Sequence, residues 1–221
     1  MSEKPILFSG PMVRAILDGK KRMTRRIVKG VPDGAELYPV KEVVTGEMFA
    51  LQIGDDTHHN SFRCPFIVGQ TLWVRESFCE LDKDHWFEQS QPKDALLNFG
   101  RPRRNACAYA ADTTDADANR CRIELGYKWK PSIHMPRWAS RLTLRVTEAR
   151  VERLQDITTE DITSEGVDNG KSNTAMGARH DAMQQLAWIE LWDSINSGRG
   201  YAWDRNPWVW VIGFERVEAT K

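Results

Sequence analysis

Gly19-Lys20-Lys21-Arg22-Met23-Thr24-Arg25-Arg26 is the stretch around which we interpret the rest of the chain. Between Gly19 and Lys29 there are six cationic side chains and no acidic one, whereas the whole protein has 31 basic and 31 acidic residues. The positive charge is therefore local, and a single hydroxyl, that of Thr24, lies in the middle of it. We interpret the stretch as one wall of a pocket that the other segments complete.

The stretch connects a predicted helix to a predicted strand. Ser9-Gly10-Pro11 is typical of a helix start. Gly19 is typical of a helix end, because glycine tolerates the left-handed conformation there. Met23–Val28 is predicted as a strand, whose side chains alternate between two sides. Thr24 and Arg26 share one side, and Met23, Arg25 and Ile27 share the other.

Three later segments are predicted strands: Val68–Phe78, Arg141–Leu154 and Asn206–Glu215. Thr158–Gly166 is predicted as a short helix with a capping box at its start, and it carries Glu165. A long helix is predicted from about Arg179 to Asn196, with a core-facing stripe at i, i+3, i+4 and i+7 spacing. That stripe consists of Trp188, Leu191, Trp192 and Ile195.

Two segments are predicted insertions in a single domain that spans residues 1–221. Residues 30–62 contain turn signals around short apolar runs, which indicates a β-hairpin. Residues 80–130 are irregular and contain the basic cluster Arg101–Arg104; they are interpreted as a solvated excursion, with a lid or a nucleic-acid-facing arm as the alternative. Spaced strands with few helical crossovers predict an α+β fold, a mostly antiparallel barrel that carries helices.

Composition excludes several classes of protein and site. A net charge of zero argues against indiscriminate binding to nucleic acid. No apolar run has the length of a transmembrane helix, and the N-terminus lacks a signal-peptide core. We therefore expect a cytoplasmic protein. The cysteines form no CxxC pair and the histidines no HExxH motif, so we expect free thiols, no metal site and no cofactor.

The basic stretch contains the residue types for hydroxyl-based catalysis. A lysine becomes a base when burial or neighbouring cations destabilise its ammonium form, and Lys21 has cations on both sides. A neutral Lys21 near Thr24 would take the hydroxyl proton, and a carboxylate, Glu165 or Glu76, would relay it to a leaving group. Phosphate or nucleic-acid contact and a plain basic surface remain open alternatives. Lys20, Arg22 and Arg25 are interpreted as tuning and surface charge, and Arg26 as bracing the cleft or binding an anion.

Aromatic residues suggest a way to hold a base. Trp73, Trp138, Trp203 or Tyr201 could stack on a nucleobase, as aromatic side chains do in proteins that bind single strands. Core packing is the alternative for each of them. Trp138 is the least core-like of the four, because it follows Arg137 in a proline-bracketed connector.

The pattern Gly19-x-Lys21-x-x-Thr24-x-Arg26 resembles the GxKxxTxR signature of ASCH domains, a branch of the PUA-like superfamily. The segment Gly69–Glu76 is similar to the second strand of that family, and Trp208–Phe214 to its last strand. The segments SIHMPRWASRLTL and NPWVWVIGFE resemble larger ASCH-like proteins carried by phages and prophages. The resemblance covers most of the chain outside residues 30–62 and 80–130. Arg25 departs from it, since relatives often carry an apolar residue there.

The resemblance implies a PUA-like β-barrel whose cleft is lined by the signature. A small bacterial ASCH family hydrolyses the amide of N4-acetylcytidine with a Lys, a Thr and a Glu. Carried over by position, these roles fall on Lys21, Thr24 and, through a looser alignment, Glu165. The residues expected to contact the substrate are Arg26, Trp73, Arg75, Glu76 and Trp138.

Three hypotheses of function follow. The first is an amidohydrolase that acts on an N4-acylated, cytidine-type nucleoside. The second is a non-catalytic module of phage origin that binds nucleic acid, RNA being favoured over DNA, or an ASCH protein that cleaves RNA. The third is a phage protein that binds a host protein through residues 80–130. If the chain is phage-encoded, its expected location is the cytoplasm of the bacterial host.

Overall fold

The computed structural model describes residues 3–32, 35–41, 48–52, 60–81, 106–112, 128–167 and 177–217, and every structural statement below concerns these. The elements follow one another in a β-rich order. They are β1 (Lys4–Leu7), α1 (Gly10–Leu17), β2 (Met23–Ile27), β3 (Leu37–Lys41), β4 (Met48–Gln52), β5 (Asn60–Arg63), β6 (Thr71–Arg75), β7 (Phe78–Leu81), β8 (Ala106–Tyr109), β9 (Thr143–Arg153), α2 (Thr159–Ser164), α3 (Gly177–Asn196) and β10 (Trp208–Val217).

The described strands form three sheets. The largest is a five-stranded mixed sheet with the order β1-β6-β9-β10-β2, which places β2 at one edge. The other sheets are β3-β4-β5 and β7-β8. The predicted α+β class is confirmed. The described strands make open sheets and do not close into a barrel.

The chain divides into two compact units. The first consists of Met1–Lys4, Ala15–Leu72 and Thr143–Lys221, and the second of Pro5–Arg14 and Trp73–Leu142. The Gly19–Arg26 stretch lies in the first unit, together with α2 and α3. Trp73, Arg75, Glu76 and Trp138 lie in the second.

The first unit is built on three antiparallel strands. β10 lies between β9 and β2, with Ile212 opposite Thr24 and with a register shift between Gly213 and Phe214. Residues 209–212 are buried, as predicted for a strand that is apolar on both faces. One core cluster covers the sheet face toward the helices; its buried members are Met23, Leu154, Ile157, Ile162, Trp188, Trp192, Val209 and Val211.

The two predicted helices of the first unit are confirmed. The Thr158 side chain caps α2 by accepting a hydrogen bond from the backbone N–H of Asp161. Along α3 the buried positions recur every four residues, at Gln184, Trp188, Trp192 and Asn196. The prediction that Ile195 is buried is wrong, because this side chain is 40% exposed. The buried positions of α3 follow i+4 spacing, and the next one after Trp192 is therefore Asn196.

The predicted insertions are described only in part. In residues 30–62 the structure has the expected hairpin, β3 with β4, and adds β5 as a third antiparallel strand. In residues 80–130, β8 pairs with β7. The cluster Arg101–Arg104 lies outside the described residues. The second unit has its own core cluster, consisting of Phe78, Cys107, Tyr109, Met135 and Ala139. None of the helices in the described ranges combines the length and apolar character needed to span a membrane.

Candidate active site

Backbone hydrogen bonds fix the position of Lys21 between the ends of two helices. Its N–H donates to the carbonyl of Ala15 in α1 (2.9 Å), and the next N–H, that of Arg22, donates to the carbonyl of Ser164 in α2 (2.7 Å). Lys21 and Glu165 form an isolated antiparallel β-bridge. The chain reversal at Gly19, where φ is 71°, makes this placement possible.

The side chains of Lys21 and Glu165 form a buried ion pair. Lys21 Nζ lies 2.6 Å from Glu165 Oε2 and also donates to the backbone carbonyl of Glu165 at 2.9 Å. The two side chains are only 1% and 3% exposed. The structure thus brings together the predicted base and the predicted carboxylate, which are 144 positions apart in the chain.

Burial lowers the pKa of Lys21 below its usual value, because the charged ammonium loses its hydration. The carboxylate of Glu165 acts in the opposite direction, and the charges of Arg26 and Arg25 add to the lowering. A proton on Nζ has Oε2 as a nearby acceptor. Transfer within the pair would leave a neutral amine beside a carboxylic acid.

Gly166 allows the close approach of the two segments. Its φ is 83°, and a Cβ at this position would lie 3.0 Å from both the Cβ of Ala15 and the Cβ of Lys21. Glu165 is the last residue before this turn and caps the C-terminus of α2. Gln184 of α3 helps to hold α2 in place, because its amide donates to Thr163 and to the carbonyl of Val167.

Arg25 is a member of the site that the sequence interpretation missed. It was assigned to tuning and surface charge, and the surface part is wrong, because its side chain is 0% exposed. Its guanidinium binds Glu152 Oε1 (2.6 Å), Asp161 Oδ2 (2.5 Å) and Glu165 Oε1 (3.3 Å). Its neighbours on the same side of β2, Met23 and Ile27, are core residues, and this was the available signal.

A second arginine extends the cluster toward solvent. Arg150 contacts two of the three carboxylates that bind Arg25, those of Glu152 (2.9 Å) and Asp161 (2.6 Å). It also contacts Glu148 (2.5 Å). Glu148, Arg150 and Glu152 are at alternate positions of β9, so they share one side of that strand. Such a Glu-x-Arg-x-Glu pattern on a strand is the sequence signal for this part of the cluster.

Thr24 and Arg26 lie on the side of β2 opposite to Arg25, as strand alternation predicts. Thr24 is buried, and within the described ranges its hydroxyl makes no hydrogen bond. Arg26 is half-buried; burial lowers its pKa, and the charge of Glu165 opposes this. The charges of Arg26 and Arg25, on opposite sides of β2, both lower the pKa of Lys21.

The remaining predicted site residues belong to the second unit. Glu76 is buried and accepts two hydrogen bonds from Arg141, at 2.9 and 3.0 Å, while burial raises its pKa against the opposing effect of Arg141. Trp73 is buried, and the guanidinium of Arg75 lies 4.6 Å from its ring centroid. Trp138 is 43% exposed, in agreement with the prediction that it is the least core-like of the aromatic candidates.

The described residues contain no group of three or more His, Cys, Asp or Glu side chains that could hold a metal ion. Three cysteines, Cys64, Cys79 and Cys107, are free and buried, as expected. Comparison of the chain with protein-family models, curated proteins and solved structures gave no match.

Proposed function

We propose that the protein is an amidohydrolase whose substrate is an N4-acylated, cytidine-type nucleoside. The observation that carries this proposal is the buried contact between Lys21 Nζ and Glu165 Oε2 at 2.6 Å. A buried, desolvated lysine beside a carboxylate is an arrangement suited to general acid–base chemistry. The substrate class comes from the resemblance of Gly19–Arg26 to the ASCH signature.

Each residue of the proposed site has one task. Neutral Lys21 takes the proton of the Thr24 hydroxyl, and the oxygen of Thr24 attacks the carbonyl carbon of the amide. Glu165, protonated by transfer from Lys21, gives its proton to the departing amine as the carbon–nitrogen bond breaks. Water then hydrolyses the threonine ester, which releases the acid and regenerates the hydroxyl. The positive charge of Arg26, on the Thr24 side of β2, favours the negative charge that develops on the carbonyl oxygen.

The test is incubation of the protein with N4-acetylcytidine and related N4-acylcytosines, with chromatography of the products. We expect cytidine or cytosine to appear with the wild type. Lys21→Ala, Thr24→Ala and Glu165→Gln should each lower the rate by about 100-fold or more. Lys20→Ala, which removes the exposed neighbour of Lys21, is the matched control and should retain the wild-type rate. Absence of any product with the wild type, or wild-type rates in the three variants, contradicts the proposal.

The exposure of Trp138 favours a second candidate function, the binding of single-stranded RNA. Pro131 and Pro136 precede two single-turn 3₁₀ helices, and the buried residues Met135 and Ala139 anchor this connector. Trp138 is exposed, so its indole face is open to a base, and the positive charge of its exposed neighbour Arg137, whose guanidinium also lies 6.0 Å from the Trp73 ring centroid, favours a phosphate nearby.

Fluorescence anisotropy with short single-stranded RNA and DNA at several salt concentrations tests this second function. We expect affinity to decrease with salt, and Trp138→Ala to weaken binding about 10-fold or more. Ile133→Ala is the control, because Ile133 is exposed in the same connector but offers no ring for stacking. Absence of binding at low salt, or equal effects of the two variants, rules out a stacking site here.

A further inference from the structure

Arg25 is a buried cation that the proposed reaction does not use. Its side chain is fully buried between β2, β9 and α2, and it contacts one carboxylate of β9 and two from the α2 region. It also lies against apolar atoms: Nη1 is 3.8 Å from Met23 Sδ, and its guanidinium carbon is 5.9 Å from the ring centroid of Trp188. A guanidinium in such surroundings pays a large desolvation cost, so its carboxylate contacts must be close.

The carboxylate of Glu165 is held at both oxygens. Lys21 Nζ binds Oε2 at 2.6 Å, and Arg25 Nη1 binds Oε1 at 3.3 Å. With each oxygen assigned to a different cation, the plane of the carboxylate is fixed, and Oε2 is directed toward the amine. Arg25 is itself fixed by its shorter contacts to Glu152 and Asp161, so one oxygen of Glu165 is held by a group whose position does not depend on Lys21.

We propose that Arg25 is a positioning residue of the Lys21–Glu165 site, which directs Glu165 Oε2 toward Lys21 and places a fixed positive charge behind that carboxylate. The catalytic importance of Arg25 rests on the proposed function. The effect of Arg25 on the protonation of Lys21 does not depend on any substrate.

The charges that face the pair come from three elements. β2 contributes Arg25 and Arg26, α2 with its cap contributes Asp161 and Glu165, and β9 contributes Glu152, with Arg150 bound to both Glu152 and Asp161. The residue of α3 that packs against Arg25 is the uncharged Trp188. Loss of Arg25 would leave the carboxylates of Glu152, Asp161 and Glu165 with less positive charge to balance them. The ammonium form of Lys21 would then be favoured, and its pKa would rise.

A purely structural role for Arg25 gives a different expectation. If Arg25 only held β2, β9 and α2 together and its charge had no effect on Lys21, its replacement would lower stability and the folded fraction, but the folded molecules would titrate as before. The titration of Lys21 therefore separates the two roles.

The experiment is an NMR titration of Lys21 in protein whose lysines carry ¹³C at Cε, with no substrate present. The Lys21→Arg variant assigns the Lys21 signal by its disappearance, and the other lysine signals serve as internal references. We expect an upward shift of the Lys21 midpoint in Arg25→Gln, which the reference lysines do not share. Arg25→Lys, which keeps the charge, should retain a midpoint near that of the wild type. An unchanged or lower midpoint in folded Arg25→Gln overturns the proposal.

Asp161→Asn gives a second measurement that does not remove a cation from the core. The Asp161 side chain is partly exposed and contacts only Arg25 and Arg150 among the described side chains. Its neutralisation leaves the charge of Arg25 less balanced, so we expect the Lys21 midpoint to fall. A midpoint that stays or rises overturns the proposal, and this result decides the matter if Arg25→Gln does not fold. Failure of the wild type to hydrolyse acylcytosines would remove the proposed function but would leave these titration shifts as they are.

Discussion

Gly166 is the residue at which the backbone and the buried ion pair constrain one another. We expect Gly166→Ala to destabilise the protein for two reasons: the left-handed conformation costs an alanine about 1–2 kcal/mol, and the new methyl group would lie 3.0 Å from Lys21 Cβ. Gly69→Ala is a matched control, because Gly69 has a similar φ of 85° and nothing within 4 Å of the added methyl. Urea unfolding should show a larger loss for Gly166→Ala, and equal losses would contradict the packing argument.

The protonation of Lys21 sets an expected pH dependence. In the proposed reaction the Lys21–Glu165 pair holds one proton, which Glu165 gives to the departing amine, so the rate should decrease when a rise in pH removes that proton. Because burial lowers the pKa of Lys21, the midpoint of this decrease should lie below about 10.4, the value for a solvated lysine. The pH–rate profile measures it. Lys21→Arg should be inactive throughout, since arginine stays protonated, and an active Lys21→Arg would exclude Lys21 as the base.

Helix α3 provides much of the core of the first unit, and its two faces differ clearly in solvent exposure. Trp188 is buried, lies 6.0 Å from Trp192 between ring centroids and packs near Arg25. We expect Trp188→Ala to cost about 3–5 kcal/mol of unfolding free energy. Leu186, on the same helix, is 59% exposed, so Leu186→Ala should change stability by less than about 0.5 kcal/mol.

Trp188→Phe separates ring packing from hydrogen bonding at this position. The indole Nε1 of Trp188 is buried without a hydrogen-bond partner in the described part of the chain. Phenylalanine removes that unsatisfied donor and keeps an aromatic face, so its cost should be clearly smaller than that of alanine. Thermal and urea unfolding of the three α3 variants give the comparison, and a phenylalanine variant as unstable as the alanine variant would contradict it.

Local sequence patterns correctly predicted the helix ends, which depend on contacts within a few residues. Ser9-Gly10-Pro11 and Gly19 mark the limits of α1, and Thr158 caps α2, because these signals depend on hydrogen bonds within a few residues. Ile195 was assigned to the core because spacing along a helix gives only an approximate buried direction. The neighbours of α3 decide which side of that stripe is covered.

At the scale of the whole molecule, the thiols report on the integrity of the fold. Burial raises the pKa of Cys64 and of Cys107 to about 11, and also raises that of Cys79. In a Cys121→Ser variant, where these three are the remaining thiols, we expect little reaction with a thiol reagent at pH 8 and rapid reaction in denaturant. Rapid labelling of the native variant would show that these thiols are not protected as the structure has them.

The charged cluster shows where prediction from the sequence stops. Lys21 was singled out by its cationic neighbours, and Glu165 by the helix that carries it and by family resemblance. Arg25 binds residues 127, 136 and 140 positions away in the chain, and no local pattern specifies such partners. The net charge of zero did not indicate a buried charged cluster either, because buried ion pairs and solvent-exposed charges contribute equally to the net charge.

The closeness of the charges around Arg25 limits the order in which substitutions can accumulate. Removal of one member of a buried ion pair costs about 3–5 kcal/mol, a large part of a typical domain stability of about 5–15 kcal/mol. A lineage that exchanged Arg25 for an apolar residue in one step would risk losing the folded protein. Prior neutralisation of Glu152 or Asp161 would lower the cost of the same exchange, because fewer carboxylates would lose their partner. Arg25, Glu152 and Asp161 therefore form an epistatic group. We expect substitutions at these positions to occur in a particular order and not independently of one another.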